Sequence, residues 1–211
     1  MNEIYLFVKR FFASPTAIGS LLPSSEKLGS CIAQKSSNET HKPIRYLEVG
    51  AGSGALTRPL VERMQAGDSM DIVEVDPKFC SSLRRQFSHL SSVSIHEVSI
   101  LDFEGRDYDV LVSSLPLNAF RSQMVNDILK KYKSLVKPDG YLSYYEYLGL
   151  EKIKQILLFG ETAKDFKKTQ FLKREFANKY GKEIDKIWWN FPPARVVHCK
   201  MNENFRHKKF N

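Results

Sequence analysis

Cysteine is scarce in this chain of 211 residues: Cys31, Cys80 and Cys199 stand far apart, are odd in number and form no CxxC pair. Neither a disulfide framework nor a zinc site follows from such spacing, and the three read as buried thiols in a reducing cytoplasm. His41, His89, His96, His198 and His207 show no ligand spacing, so no metal is assigned. No stretch approaches the ~18 consecutive apolar residues that a membrane span needs. The apolar start Ile4-Tyr5-Leu6-Phe7-Val8 is interrupted by Lys9 and Arg10, the wrong charge order for a secretory signal. Repeats and low-complexity linkers are also missing. Acidic residues are the minority, 24 against 32 lysines and arginines, and the net charge of +8 favours anionic partners such as nucleic acid or acidic lipid headgroups.

What is present has the make-up of one ordinary domain over residues 1–211, with 42% hydrophobic and 27% charged residues. From Ile44 onward short apolar runs alternate with helix-like segments, the pattern of a parallel sheet built from βαβ units. Strands are predicted at about 45–49, 71–75, 93–97, 109–113 and 140–147. Between them Leu56, Leu60, Val61 and Met64 recur at helical spacing, as do Phe79, Leu83 and Phe87, and then Val125, Ile128, Leu129 and Leu135. Asp76-Pro77 and Lys137-Pro138-Asp139-Gly140 mark turns. Ahead of this rhythm, Ile4, Phe7, Val8, Phe11 and Phe12 form the stripe of an amphipathic helix, with Lys9 and Arg10 off it. Beyond it, residues 151–182 form a basic helical stretch carrying Lys164, Lys167, Lys168, Lys173, Arg174, Lys179 and Lys182, either a solvated face or a binding surface. Strand-like Ile187-Trp188-Trp189 and Arg195-Val196-Val197 flank Phe191-Pro192-Pro193 and predict a closing β-hairpin.

The densest signal is Tyr46-Leu47-Glu48-Val49 running into Gly50-Ala51-Gly52-Ser53-Gly54 and then a helix. A strand, a glycine turn and a helix let the backbone approach a nucleotide closely, because glycine lacks Cβ. The spacing is GxGxG rather than the dinucleotide pattern GxGxxG. Glu48 directly before the turn suits a cationic or amino-bearing ligand better than a pyrophosphate. The next strand ends in Glu74-Val75-Asp76, about 20 residues on, where a carboxylate can accept ribose hydroxyls. Glu74 is the first choice for that role, Asp76 the second, and Val75 lies between them at the site. S-adenosylmethionine, with a sulfonium, an ammonium and no phosphate, fits this pair of carboxylates.

On these residues the chain resembles the class I S-adenosylmethionine-dependent methyltransferases over roughly residues 44–147. The resemblance implies an α/β, Rossmann-like fold: a central, mostly parallel seven-stranded sheet, an antiparallel C-terminal hairpin and helices on both faces. It divides the chain into a helical cap (1–43), a cofactor-binding core (44–147), a helical insertion with the closing hairpin (148–201) and a basic tail (202–211). It also implies adenine recognition after the third strand, where Ser99 stands in place of the usual aspartate and Ile100 offers its backbone.

The stretch after the fourth strand, Ser113-Ser114-Leu115-Pro116-Leu117-Asn118-Ala119-Phe120, is where base-methylating enzymes carry Asn-Pro-Pro-Tyr or a relative of it. Here Ser114 replaces the asparagine and Leu117 the stacking aromatic, which weakens the likeness to the ribosomal RNA adenine dimethyltransferases, although the overall layout is similar. The chain is more similar to the small bacterial phospholipid N-methyltransferases. That likeness rests on Phe11-Phe12-Ala13-Ser14-Pro15 with Gly19-Ser20-Leu21-Leu22-Pro23-Ser24-Ser25, on Ser114-Leu115-Pro116-Leu117, and on Trp189-Asn190-Phe191-Pro192-Pro193-Ala194-Arg195-Val196. It implies stepwise N-methylation of phosphatidylethanolamine towards phosphatidylcholine, with Ser24 and Ser25 covering the methionine end of the cofactor and Ser114 and Leu115 beside it. A monomer at the inner face of an anionic membrane, held there by its N-terminal helix, is the expected setting. On the fifth strand Tyr145 and Tyr147 share one face and Tyr144 and Glu146 the other. Tyr145 first and Tyr147 second are the expected catalytic residues, holding cationic groups by cation-π attraction. Methylation of RNA adenine, and a catalytically inactive module that binds cofactor with lipid or RNA, remain as alternatives.

Overall fold

The computed structural model describes residue 32 and residues 42–148, 158–188 and 193–202. The N-terminal amphipathic helix, Ser24 and Ser25, Trp189, Asn190 and the basic tail beyond Asn202 lie outside the described residues.

Seven strands form one sheet: β1 (Arg45–Val49), β2 (Ser69–Glu74), β3 (Val93–Glu97), β4 (Tyr108–Ser113), β5 (Val136–Tyr147), β6 (Lys182–Ile187) and β7 (Ala194–Lys200). Their spatial order is β3-β2-β1-β4-β5-β7-β6. The first five are mutually parallel, and β7 runs antiparallel between β5 and β6. The helices are α1 (Thr57–Val61), α2 (Pro77–Phe87), α3 (Ser122–Leu135) and α4 (Gly160–Lys179), with a 3-10 turn at Leu117–Ala119. This is the Rossmann-like layout expected from the sequence.

Both faces of β1 are covered, which is why Tyr46, Leu47 and Val49 are all buried and its apolar residues do not simply alternate. Leu47 and Val49 face one cluster with Val125, Ile128 and Leu129 of α3, while Tyr46 joins Leu60, Leu83 and Phe87 on the α1–α2 side. Each such aliphatic side chain, fully buried, stabilises by about 1.5–3 kcal/mol relative to exposure. The chain reverses its direction of travel across the sheet between β1 and β4. Beyond the carboxyl ends of those strands an open α/β sheet leaves a crevice for ligands.

Several boundaries differ from expectation for identifiable reasons. β5 begins at Val136, not near 140, because Val136 pairs with Tyr108 before the register shifts. Lys137-Pro138-Asp139-Gly140 bulges out between the paired stretches, with Asp139 in the left-handed region (φ 66) and its carboxylate accepting from Asn202 at 2.5 Å. Only Thr57–Val61 of the Leu56-to-Met64 stripe is α-helical. Trp188 is not part of the closing hairpin's strand: the last pair is Ile187 with Ala194, the next residue across, Pro193, has no N–H and gives its carbonyl to Leu148 N–H (2.6 Å), and the indole is 63% exposed. The basic stretch forms α4, but Lys173 does not belong to its solvated face. It is 3% exposed, on a stripe with Phe166, Thr169 and Ala177. Among the described residues, no helix is long and apolar enough to cross a membrane.

Candidate active site

The glycine turn is stitched to both neighbouring strands. Gly50 donates its N–H to the Val73 carbonyl (2.8 Å), and Ser114 donates to the Val49 carbonyl (2.9 Å). Gly50 sits at φ 75, and a Cβ there would lie 2.8 Å from Leu115 Cδ2. Only glycine therefore lets the turn and the loop after β4 approach so closely. Between them, at the carboxyl ends of the strands, opens a cleft. Of the sequence-predicted residues, Gly50, Glu74, Val75, Ser99, Ile100, Ser114 and Leu115 line it. Glu48, Ala51, Gly52 and Gly54 build the strand end and turn behind its wall. The lining holds no lysine or arginine, so the cleft offers no side-chain cation to a phosphate.

Two buried carboxyls serve different purposes. Glu74 accepts N–H bonds from Gly52 (2.9 Å), Val75 (2.7 Å) and Asp76 (2.9 Å). Burial lifts its pKa above the ordinary value, against the pull of these donors. A carboxylate offers about four acceptor positions, so three donors leave room for about one more. Glu48 is completely buried, and its Oε2 accepts from Thr57 Oγ1 at 2.7 Å. Its Oε1 has no hydrogen-bond partner among the described residues. Burial pushes its pKa up to about 7, the Thr57 bond opposes this and the charge of Glu74 adds to it. Asp76, the second choice for ribose, is occupied otherwise: its carboxylate caps α2 by accepting from Lys78 N–H at 2.8 Å, with Pro77 opening the helix.

The alternation of β5 divides its last residues between two environments. Tyr145 and Tyr147 lie on the Glu48 side of the sheet, ring centroids 5.6 Å apart and edge to face. Tyr145 packs against the cluster that contains Ala51 and Val112, and neither tyrosine lines the cleft described above. Burial, then Tyr147, then the charge of Glu48 push the Tyr145 phenol well above its ordinary pKa. On the opposite face Glu146 binds Lys173 Nζ and accepts from Arg195 through Nε (2.9 Å) and Nη2 (2.6 Å). Burial alone would raise the Glu146 carboxyl, and the two cations hold it below the ordinary carboxylate range. Lys173 also donates to Asn118 Oδ1, which accepts from Gln170 Nε2 at 2.8 Å as well. This network joins α4, β5, β7 and the loop after β4, and none of its members was among the sequence-predicted site residues. One signal pointed to it: a lysine at the 166, 169, 173, 177 spacing of an otherwise buried helical stripe.

The sequence comparisons agree with this geometry. A family described as a methyltransferase domain matches residues 47–142. The chain is similar to an ornithine lipid N-methyltransferase of Singulisphaera acidiphila, 28% identical over 147 residues that cover 66% of this chain and 76% of that one. Its fold is similar to that of the N-methyltransferase NodS from Bradyrhizobium japonicum in complex with S-adenosyl-L-homocysteine, with a TM-score of 0.69, 13% identity and coverage of 94% of this chain and 98% of that one. The chain is a class I S-adenosylmethionine-dependent methyltransferase. The methyltransferase is also 28% identical over 145 residues to the highly reducing polyketide synthase ACTTS3 of Alternaria alternata, covering 64% of this chain and 6% of that one.

The residues present fit S-adenosylmethionine. Glu48 Oε1, buried and without a partner among the described residues, could accept an ammonium, Glu74 retains capacity for a hydroxyl, and a cleft wall without lysine or arginine suits a ligand without phosphate. Among the described residues no group of three or more His, Cys, Asp or Glu could hold a metal ion.

Proposed function

We propose that this methyltransferase N-methylates the amine headgroup of a membrane phospholipid, carrying phosphatidylethanolamine towards phosphatidylcholine at the inner face of the membrane. The observation that carries the reading is the similarity to an ornithine lipid N-methyltransferase over 147 residues, since that relative's name places a lipid amine on the acceptor side. The likeness of the two chain ends to phospholipid N-methyltransferases supports it, as does a phenylalanine-rich amphipathic start edged by Lys9 and Arg10.

In this reading S-adenosylmethionine supplies an electrophilic methyl group on a sulfonium. Glu48 holds the cofactor's ammonium, Glu74 a ribose hydroxyl, Ser99 and Ile100 the adenine, and Gly50, Ser114 and Leu115 shape the wall between them. Tyr145 and Tyr147 align the acceptor amine for in-line attack. The raised Tyr145 pKa keeps its phenol protonated near neutrality, so its oxygen accepts an N–H of the acceptor amine and orients it, leaving the lone pair free, rather than serving as a base. The amine's proton leaves to water.

An RNA acceptor is less well supported by the geometry: Leu117, where a base-stacking aromatic would stand, is 2% exposed and packed into the core. The polyketide synthase match favours a second reading, a metabolite or carrier-bound acceptor. One assay separates these readings. Radiolabelled S-adenosylmethionine is incubated with the protein, total lipid and total RNA, with phosphatidylethanolamine and ornithine lipid in parallel tubes. Label in an aminolipid fraction is expected; label only in RNA or only in water-soluble product refutes the lipid assignment.

A further inference from the structure

On the face of the sheet opposite Tyr145 and Tyr147, α4 and the strands β5, β7 and β6 border a second, open cleft. Its charge is one-sided. Lys167, Lys173, Arg174 and Arg195 surround a single carboxylate, Glu146. Lys173 and Arg195 both bind that carboxylate. Lys167 and Arg174 have no carboxylate partner among the described residues; Arg174 instead lies 5.9 Å from the centroid of the Phe171 ring. Lys167, Phe171 and Arg174 follow i, i+4, i+7 spacing and so share one face of α4.

The cleft is also apolar where water reaches it. Phe171 is 53% exposed and Ile184, across the cleft on β6, is 39% exposed. An inorganic anion gains nothing from exposed phenylalanine and isoleucine, whereas a ligand with a charged phosphate on an apolar body satisfies both features.

We propose that this cleft docks the phosphate of an anionic membrane phospholipid, with the glycerol and first acyl carbons lying on Phe171 and Ile184. The choice of a lipid rests on the function proposed above, but the docking is independent of methyl transfer. The site is separate from the cofactor cleft and lies across the sheet from the tyrosine pair.

The test is calorimetric titration of the full chain with dihexanoylphosphatidylglycerol below its micelle concentration, with inorganic phosphate, and with a short oligouridylate. The lipid should bind at least about tenfold more tightly than inorganic phosphate. Lys167→Glu combined with Arg174→Glu should weaken lipid binding at least about tenfold, since each interfacial cation contributes of that order. Both side chains are exposed, so the variant should keep the wild-type melting temperature and affinity for S-adenosylhomocysteine. A second variant, Phe171→Ser, should lose lipid affinity while leaving phosphate binding unchanged. Unchanged lipid affinity in the double variant, phosphate binding as tight as lipid, or a preference for the oligonucleotide that depends on the same two cations would each overturn the proposal. Methylation of phosphatidylethanolamine is followed separately. Lipid docking through this cleft without methylated lipid defeats the proposed function alone, and methylated lipid with charge-independent docking defeats this inference alone.

Discussion

Replacing Glu48 by Gln should change how stability depends on pH, in a direction fixed by the burial of its carboxyl. In the fold that carboxyl has a pKa of about 7 against an ordinary value of 4.5, so the folded chain holds its proton more tightly than the unfolded chain. The contribution of Glu48 to stability is therefore intact below 4.5 and is lost as pH rises through about 7. A tenfold difference in proton affinity between the folded and unfolded chain corresponds to about 1.4 kcal/mol, so the loss across the whole window amounts to about 3 kcal/mol, most of it between about pH 5 and about pH 7. Urea unfolding of wild type and Glu48→Gln, measured across that window, isolates the effect as the difference between the two curves. The wild type should lose about 3 kcal/mol relative to the variant on going from acid to mildly alkaline conditions. A cation placed against Oε1 stabilises the ionised form, so saturating S-adenosylmethionine should shrink this loss. A difference that stays flat with pH refutes the assignment of a buried, proton-holding carboxyl at the turn.

Three further substitutions test separate parts of the site. Gly50→Ala forces a side chain into φ 75 and against Leu115 Cδ2; a cost of about 1–2 kcal/mol in stability, with at least about a tenfold loss of cofactor affinity, should appear in thermal unfolding and calorimetric titration. Unaltered affinity would show that the loop after β4 yields freely. Lys173→Met leaves Glu146 buried with only Arg195 and should destabilise by about 3–5 kcal/mol, with much of that recovered when Glu146→Gln is added; strictly additive losses in the double-mutant cycle would mean the pair is not coupled. Tyr145→Phe should lower turnover while cofactor affinity stays near wild type, and steady-state kinetics with unchanged kcat would remove this phenol from the mechanism.

The cofactor half of the protein was legible because its signals are local. A strand, a glycine turn and a helix follow one another within residues 45–61, and Glu48 and Glu74 lie at the ends of adjacent strands whose apolar runs mark them. Asp76 illustrates the limit of that reading, since an acid after a strand serves a ribose and a helix cap equally well until the Lys78 N–H is seen to point at it. Features that depend on distant partners were hidden. Lys173 read as one of a run of cations on either a solvated or a binding face, because counting charge along α4 says nothing about which residue meets Glu146, 27 positions away. The bulge at Lys137-Pro138-Asp139-Gly140 carried a correct turn marker, yet β5 starts before it because Tyr108 on another strand supplies a partner for Val136. Trp188 had strand-like neighbours but stands opposite Pro193, which has no N–H to extend the ladder.

The Lys173 network bears on function through what it touches rather than through its strength. A buried ion pair pays a desolvation cost that well-packed apolar residues would avoid, so stability alone gives little reason for it. Its hydrogen bonds are directional, however, and they end on particular atoms: Asn118 in the loop after β4, and Glu146 one residue from each tyrosine. That loop begins with Ser114, Leu115 and Pro116, which form one wall of the candidate cofactor cleft, and its turn is fixed further by Leu115 N–H donating to Ser113 Oγ (3.3 Å). The same strand end carries Tyr145 and Tyr147 on its other face. A shift of α4 along its axis would therefore move the cleft wall and the tyrosine pair together, through two hydrogen-bonded anchors rather than through apolar contacts that tolerate sliding. On this argument Lys173→Met with Glu146→Gln should fold but hold the loop less precisely. Much of its stability would return while kcat remained depressed, an outcome that a purely structural ion pair would not produce.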